Sequence, residues 1–369
     1  FLDVRLTVHL TAPSGRTLDV PGFFDGDGAG GGTGSTWRAR WLPHEIGTWL
    51  WEGRFRSGTE IALDLDPAAG APTGHDTEGA LTVAGVDPAA RGFYRRGTLR
   101  YVGEHYLRFD DRSYFLKGGV NSPENLLGYE GFDNTFDQPG GTSTTGLPIG
   151  LHRFAQHLID GLPGDPYFAS ADRDYDSAGL IGALNYLSRI GLNSVYFLPM
   201  NMGGDGRDTV PFVAYGTGTW AKTHYDVSKL AQWDITFHHA QNLGLMLHFV
   251  LGETEAGNKL WLDGGQLGTQ RKLFYRELVA RFAYFAALQW NLSEENPFST
   301  DLLESFADWI LALDPYDHPI TFHTKVLRTG GEYPDYDAVI GDPRFSAASL
   351  QSFPAKMGEH VELWRSRSR

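Results

Sequence analysis

The segment from Trp290 to Asn296 carries the residues of this sequence that are best suited to chemistry. It reads Trp-Asn-Leu-Ser-Glu-Glu-Asn, so two adjacent carboxylates, Glu294 and Glu295, follow an aromatic ring and an amide. Glycosyl transfer uses one carboxylic acid to protonate the leaving oxygen and a second carboxylate to attack the sugar or to activate water. We therefore predict catalytic roles for Glu294 and Glu295. The alternative is an acidic helix N-terminus that is capped by Ser293.

Amides, carboxylates and rings also follow the other apolar runs that we predict to be strands. Such a set suits the binding of sugar hydroxyls and sugar faces. The predicted substrate-binding residues are Asn121, Asn201, Glu253, Glu255, Trp290, Asn291, His323 and Gln351. For Glu253 and Glu255 three roles stay open, namely a second catalytic carboxylate, a structural or Ca²⁺ ligand, and a loop salt bridge. His248 lies inside an apolar run and is interpreted as a core histidine whose hydrogen bonds are satisfied, in preference to a substrate contact.

The composition excludes several classes of function. The chain of 369 residues has a formal net charge of −14, so it lacks the basic field that attracts nucleic acid. It contains no cysteine, which excludes disulfides, thiolate nucleophiles and cysteine-bound metals. No apolar run is long enough to span a membrane. Histidine spacing matches no zinc-binding pattern, so we predict no metal and no cofactor, while Asp172, Asp174 and Asp176 leave a loop-stiffening Ca²⁺ open.

The first part of the chain shows the alternation that is typical of antiparallel strands. Val4, Leu6, Val8 and Leu10 alternate with polar residues, and a turn follows at Pro13-Ser14-Gly15. Further short runs, separated by glycine and proline, cover residues 18–20, 37–42, 48–55 and 80–83. We predict an antiparallel β-sandwich over residues 1–90, followed by a linker β-hairpin over residues 91–113.

Residues 114–369 alternate between helical patterns and buried apolar runs. The predicted strands cover residues 114–120, 194–198, 245–251, 288–291, 320–323 and, as a sixth, 346–351, with long polar loops at 121–151 and 201–223. This alternation predicts a parallel sheet that is covered by helices, here a (β/α)8 barrel whose βα loops build the active site. Because only six strands are found, we expect a barrel that is incomplete at its C-terminal strands.

Two groups of motifs resemble a known bacterial architecture. The stretch from Thr11 to Gly22, with Trp37-Arg38-Ala39-Arg40 and Gly47-Thr48-Trp49, resembles the Ig-like domain of unknown function of family 5060. Three further stretches resemble the clan A glycoside-hydrolase-like barrels that follow this domain, namely Tyr114 to Gly119, Leu288 to Asn296 and Leu313 to Pro319. Relatives with this architecture are sometimes labelled collagen-binding proteins.

The resemblance implies one catalytic assignment. Clan A enzymes carry an acid/base glutamate after the fourth strand, commonly in the motif W-x-x-G-N-E. In this sequence Trp290 leads to Glu295 at that position, while Ser293 and Glu294 stand where the family has glycine and asparagine. The nucleophile of the clan is a glutamate at the end of the seventh strand, and it has no counterpart in this sequence.

Taken with the resemblance, these residues predict a bacterial glycoside hydrolase that cleaves a polysaccharide or oligosaccharide by a two-carboxylate mechanism. We expect a carbohydrate partner and a secreted, periplasmic or cell-surface location. Because the second carboxylate is not identified, two alternatives stay open: a non-catalytic carbohydrate- or matrix-binding adhesion protein, and a structural assembly subunit. The sequence does not determine the oligomeric state.

Overall fold

The computed structural model describes residues 1–120, 125–138, 150–203, 206–216, 219–325 and 334–367. The strands are β1 (Val4–Thr11), β2 (Thr17–Pro21), β3 (Phe23–Phe24), β4 (Trp37–Arg38), β5 (Gly47–Ser57), β6 (Ala71–Pro72), β7 (Thr77–Val83), β8 (Leu99–Arg100), β9 (Leu107–Phe109), β10 (Tyr114–Phe115), β11 (Gly119–Val120), β12 (Ser194–Phe197), β13 (Phe212–Gly216), β14 (Thr219–Tyr225), β15 (Met246–Val250), β16 (Leu288–Asn291) and β17 (Ile320–Thr321). The α-helices are α1 (Ala178–Arg189), α2 (Val227–Asn242), α3 (Ala256–Lys259), α4 (Thr269–Phe282), α5 (Thr300–Leu311), α6 (Pro334–Asp337) and α7 (Met357–Arg367). Short 3₁₀ turns cover Ile61–Leu63, Gly92–Arg95, Ala155–Asp160, Asp263–Gly265 and Pro354–Lys356.

The N-terminal strands form an antiparallel sheet, as predicted. Its order is β2-β1-β5-β6, and β7 also pairs with β5. Because side chains alternate across a strand, one face of the sheet gathers a small core around the fully buried Trp49. The predicted strand at 37–42 is wrong beyond Arg38, since β4 pairs only with β3. Just beyond this strand, Arg40 donates a hydrogen bond of 2.6 Å to Asp234 of α2.

A second, three-stranded antiparallel sheet has the order β10-β9-β8. Its inner face packs Leu99, Phe109 and Phe115 against Met246 and Ala287, next to the beginnings of β15 and β16. The N–H of Leu99 also donates to the carbonyl of Ala286, at 2.8 Å. This sheet therefore covers the N-terminal ends of the parallel strands.

The parallel sheet has the order β11-β12-β15-β16-β17 within the described residues, and a closed barrel is not formed by these strands. The registers place Phe197, Phe249 and Trp290 side by side. These three side chains are fully buried in the main hydrophobic core, together with Trp233 and Phe237 of α2. The predicted helix-covered parallel sheet is therefore confirmed.

Two predictions about the connections are corrected. Instead of a sixth strand at 346–351, Ser349 makes a single parallel bridge to His323. Two backbone hydrogen bonds hold this segment beside β17, from the Ser346 N–H to the Ile320 carbonyl and from the Thr324 N–H to the Ser349 carbonyl, each at 3.0 Å. Side chains supply the bonds between them, because Thr321 Oγ1 donates to the Ala347 carbonyl at 2.7 Å and the Ser349 N–H donates to the Tyr336 hydroxyl at 2.8 Å. The predicted loop at 201–223 instead contains most of the β13–β14 hairpin.

Helix α4 joins the parallel sheet region to the N-terminal sheet. Arg276 and Arg281 are buried and flank Glu277, with Arg281 Nε 3.1 Å from the Glu277 carboxylate. Their remaining donors reach backbone carbonyls of the first strands, at 3.0 Å for Gly22 and 2.7 Å for Phe24. No helix in the described parts of the chain is both long enough and apolar enough to cross a membrane.

Candidate active site

The inner face of the parallel sheet carries polar side chains. Tyr196, His248 and Gln289 are partners in register on β12, β15 and β16, and each is almost completely buried. Neither ring nitrogen of His248 has a hydrogen-bond partner in the structure as described, so the expectation of an ordinary, satisfied core histidine needs correction. Burial holds the pKa of His248 well below its usual value, with a smaller contribution from the Lys117 charge, so the ring is neutral.

Backbone hydrogen bonds fix the segment that follows β16. The Glu294 N–H donates to the Gly252 carbonyl at 2.8 Å, which ties the segment to the end of β15. On the other side, the Asn296 N–H donates to the His323 carbonyl at 2.8 Å, just beyond β17. Glu294 and Glu295 therefore lie at the C-terminal end of the fourth strand of the sheet, between the ends of its two neighbours.

Glu295 has an unusual backbone conformation. Its φ angle is 39°, in the left-handed region that residues with a Cβ rarely adopt. Such a conformation costs about 1–3 kcal/mol and is found preferentially at functional sites. The Glu295 N–H donates to Nδ1 of His323 at 3.3 Å, and this bond helps to hold the conformation. The Glu295 side chain is partly exposed, whereas Glu294 is only 8% exposed.

His323 is neutral in this arrangement. Its Nδ1 lies 3.7 Å from Glu294 Oε1, which would be an ion pair only if the ring were protonated. Burial, assisted by the positive charge of Lys117, lowers the pKa of His323 to about 4, and this argues against an ion pair near neutral pH. Since Nδ1 accepts the Glu295 N–H, the proton of the neutral ring lies on Nε2.

Several predicted substrate-binding residues lie beside the two glutamates. Asn291 is on the inner face, fully buried, and its Oδ1 accepts the Ser293 N–H at 3.3 Å. Glu253 directly follows Gly252, the acceptor for Glu294, and is also buried. Gln351 is near His323, because its N–H donates at 3.0 Å to Oγ1 of Thr324.

Trp290 does not share this site. It is fully buried on the opposite face of β16, where its indole N–H donates to Asp314 at 2.8 Å. Successive side chains of a strand point to opposite faces. Asn291 faces the inner side of the sheet, and its neighbour Trp290 therefore faces the helices. Glu255 precedes α3 as its N-cap residue and is partly exposed. The predicted contact Asn121 lies outside the described residues.

Asn201 belongs to a second polar cluster, at the end of β12. It is fully buried, and the described structure provides no partner for either of its side-chain polar atoms. The backbone of Asn201 forms an isolated bridge with Thr209. Gly128 packs against the same cluster, since a Cβ at this position would lie 3.5 Å from both Thr209 Oγ1 and Asp208 Cβ. Burial, assisted by the charge of Asp137, raises the pKa of Asp208 to about 6 against the opposing hydrogen bond from the Gln138 N–H.

The sequence interpretation missed two residues of these clusters. Tyr196 lies in an apolar run that predicts only a buried strand. Its hydroxyl is the feature of the run that could have indicated which face of the strand is polar. Asp208 lies in a stretch that was predicted to be a polar loop, where an acidic residue carries no signal of burial. Among the described residues, no cluster of three His, Asp or Glu side chains is arranged to hold a metal ion.

Comparisons with known proteins concern the N-terminal segment and the fold. Residues 1–56 match the profile of a domain of unknown function (DUF5060). A candidate glycoside hydrolase of known structure from Bacteroides vulgatus aligns with 100% of this chain at 16% identity and a TM-score of 0.63. This chain spans 60% of the length of that protein. At this identity the likeness establishes the fold alone.

Two further solved structures match with lower scores. A family 5 glycoside hydrolase from Bacteroides vulgatus has 15% identity over 65% of this chain and 42% of its own, with a TM-score of 0.38. An endo-1,4-β-mannanase from Rhizomucor miehei has 13% identity over 64% of this chain and 80% of its own, with a TM-score of 0.40. Neither score carries an argument about this chain. No curated protein matches it.

Proposed function

We propose that this protein is a glycoside hydrolase that cleaves glycosidic bonds in a polysaccharide or oligosaccharide. The observation that carries the proposal is Glu295, which has a left-handed backbone, follows the fourth parallel strand and donates its N–H to a neutral histidine. The fold likeness to a candidate glycoside hydrolase supports the same conclusion. We further propose that the parallel strands belong to a (β/α)8 barrel, that residues 1–90 form an Ig-like sandwich and that the protein acts outside the bacterial cytoplasm.

In this proposal Glu295 is the general acid. Its partly exposed side chain can reach a substrate and protonate the leaving oxygen, and it then acts as a base toward the incoming water. The more deeply buried Glu294 lies beside the His323 ring and positions this segment. Glu253 supplies the second carboxylate, because it follows the neighbouring strand and its preceding residue accepts the Glu294 N–H.

Substrates with different leaving groups test these roles. We would first screen the purified protein against plant and algal polysaccharides and against 2,4-dinitrophenyl glycosides. Glu295→Gln should lower the hydrolysis of a cognate glycan by about 10²- to 10⁴-fold, because the poor leaving group needs a proton. The same variant should lose much less activity on the dinitrophenyl glycoside, whose leaving group needs none. Glu253→Gln should reduce both activities to a similar extent.

A matched control is Glu304→Gln, which alters a partly exposed carboxylate of α5 that pairs with Arg344 at 3.2 Å. This variant should keep wild-type rates on both substrates. Unchanged glycan hydrolysis in Glu295→Gln would exclude Glu295 as the acid. Binding of glycans without any turnover would instead support the non-catalytic adhesion protein.

A further inference from the structure

The segment from Arg91 to Lys117 is basic in an otherwise acidic protein. It contains seven Arg or Lys residues and three Asp or Glu residues, whereas the whole chain has a net charge of −14. The three-stranded sheet of β8, β9 and β10 lies within this segment. The segment that contains this sheet therefore has a local excess of positive charge.

The strand register places two arginines and a tyrosine in one row. Arg108 on β9 is the partner of Arg100 on β8 and of Tyr114 on β10. Partners in register share a face, and the neighbouring positions Leu99 and Phe115 face the core. The row of Arg100, Arg108 and Tyr114 therefore lies on the outer face, which we call the hairpin face.

Exposed tyrosine rings extend the hairpin face. Tyr106 and Tyr114 are 53% and 50% exposed, and their ring centroids are 6.3 Å apart in an edge-on arrangement. The Arg108 guanidinium lies 6.0 Å from the Tyr114 ring centroid. An aromatic ring with an apolar face and a polar edge is suited to packing against a sugar ring. The polar edge of Tyr114 is held by Glu104, which accepts a hydrogen bond from the tyrosine hydroxyl.

The arginines of the hairpin face are only loosely paired. Arg108 Nη1 is 3.4 Å from Glu104, and Arg100 Nε is 3.6 Å from Asp110. The side chains of Arg108 and Arg100 are 33% and 24% exposed, and pairs near the surface contribute only about 0–1 kcal/mol, so a ligand carboxylate can compete for these guanidiniums. A guanidinium also binds carboxylates through two parallel hydrogen bonds, which gives it selectivity for planar anions.

We propose that the hairpin face binds an acidic polysaccharide, with the arginines on its carboxylates and the tyrosines on its sugar rings. This inference goes beyond the proposed hydrolase activity, because the sheet covers the N-terminal ends of the parallel strands and Glu295 follows the C-terminal end of β16. The surface would hold the enzyme on an extended substrate without contacting the reacting bond. The acidic remainder of the chain disfavours long phosphate backbones.

Polygalacturonate and its fully methyl-esterified form provide a matched pair of probes, since esterification removes the charge and keeps the sugar backbone. Isothermal titration should show binding of polygalacturonate, little binding of the ester, and weaker binding as sodium chloride is raised. The titration uses both the wild-type chain and Glu295→Gln, so that hydrolysis of the probe during the titration does not affect the result.

Three variants locate the binding to the hairpin face. Arg108→Ala and Tyr114→Ala should each weaken polygalacturonate binding by about tenfold. Arg108→Lys keeps the charge but lacks the planar guanidinium that forms two parallel hydrogen bonds, so this variant should bind with an intermediate affinity. Arg54→Ala is the matched control, because Arg54 is also an exposed, paired arginine and lies on the N-terminal sheet. Circular dichroism and thermal unfolding confirm that each variant is folded.

Specific results would overturn the proposal. Equal binding of polygalacturonate and its methyl ester would exclude recognition of carboxylates. Wild-type affinity in both Arg108→Ala and Tyr114→Ala would place the binding elsewhere. Competition by duplex DNA with equal affinity would show a general polyanion surface instead. The hydrolysis of a cognate oligosaccharide is measured separately and should not change in these variants, so failure of this proposal is distinguishable from failure of the hydrolase proposal.

Discussion

The backbone N–H of Glu295 donates a hydrogen bond to Nδ1 of His323 across 3.3 Å, and Glu295 is held with a φ angle of 39°. The two residues are 28 positions apart in the sequence. They meet because each follows one of two adjacent parallel strands, β16 and β17. The His323 imidazole, which follows β17, thus helps to orient Glu295, which follows the neighbouring strand β16.

A first prediction concerns this hydrogen bond. His323→Leu removes the acceptor for the Glu295 N–H and should lower kcat on the cognate glycan by about 10- to 100-fold with a smaller change in KM. His323→Asn places an amide oxygen near the position of Nδ1 and should recover part of kcat. Steady-state kinetics of both variants check this, and equal kcat values in the two would show that the acceptor is not what positions Glu295.

A second prediction concerns acid stability. The pKa of His323 falls from 6.5 to about 4 on folding, so the unfolded chain binds more protons between these pH values. The stability that comes from the neutral ring is therefore complete above pH 6.5 and is lost as the pH falls toward 4, by about 3 kcal/mol for this group. Buried His248 shifts in the same direction. Urea unfolding at pH values from about 4 to 7.5 should show this decline, with a smaller slope in His323→Asn.

A third prediction has the opposite sign. The pKa of Asp208 rises from 3.8 to about 6 on folding, so the folded chain binds more protons in this window and loses stability as the pH rises through it. Asp208→Asn keeps an oxygen that can accept the Gln138 N–H and removes the buried charge. The variant should be about 2–3 kcal/mol more stable than wild type at pH 7 and nearly equal to it below pH 3.8. Asp174→Asn, at an exposed position, is the control and should change stability little at either pH.

A fourth prediction concerns the contact between α4 and the N-terminal sheet. Glu277→Gln leaves the buried guanidiniums of Arg276 and Arg281 without their shared carboxylate. Loss of one partner from a buried ion pair costs about 3–5 kcal/mol, so the midpoint of urea unfolding should fall strongly. Glu304→Gln removes a partly exposed partner of Arg344 and should cost less than about 1 kcal/mol. Similar losses in the two variants would contradict a special role for Glu277.

Much of the secondary structure was predictable because it depends on local patterns. The strand Leu288–Asn291 has the bounds that its apolar run predicts. A buried run followed by polar residues also locates a strand end, which placed Glu294 and Glu295 correctly after the fourth strand. The β13–β14 hairpin was not predicted, because the glycine and polar residues around Phe212 and Trp220 favoured a loop.

The catalytic roles of the predicted site residues stay predictions, but their positions show where sequence reasoning ends. Trp290 and Asn291 are equally plausible contacts in the sequence, yet only Asn291 faces the inner side. Ser349 pairs with His323 by a single bridge, and the Ser349 N–H donates to the Tyr336 hydroxyl, a partner that no local pattern indicates.

The sequence by itself determined the main parallel strands, the acidic charge and the placement of two glutamates at a strand end. Only the tertiary structure decided which side of each strand faces the inner side of the sheet, which histidines are neutral, and that Glu295 is held by His323. The physical reason is that alternation and hydropathy act between near neighbours in the sequence. Burial, register and hydrogen bonding between strands depend on residues that only folding brings together.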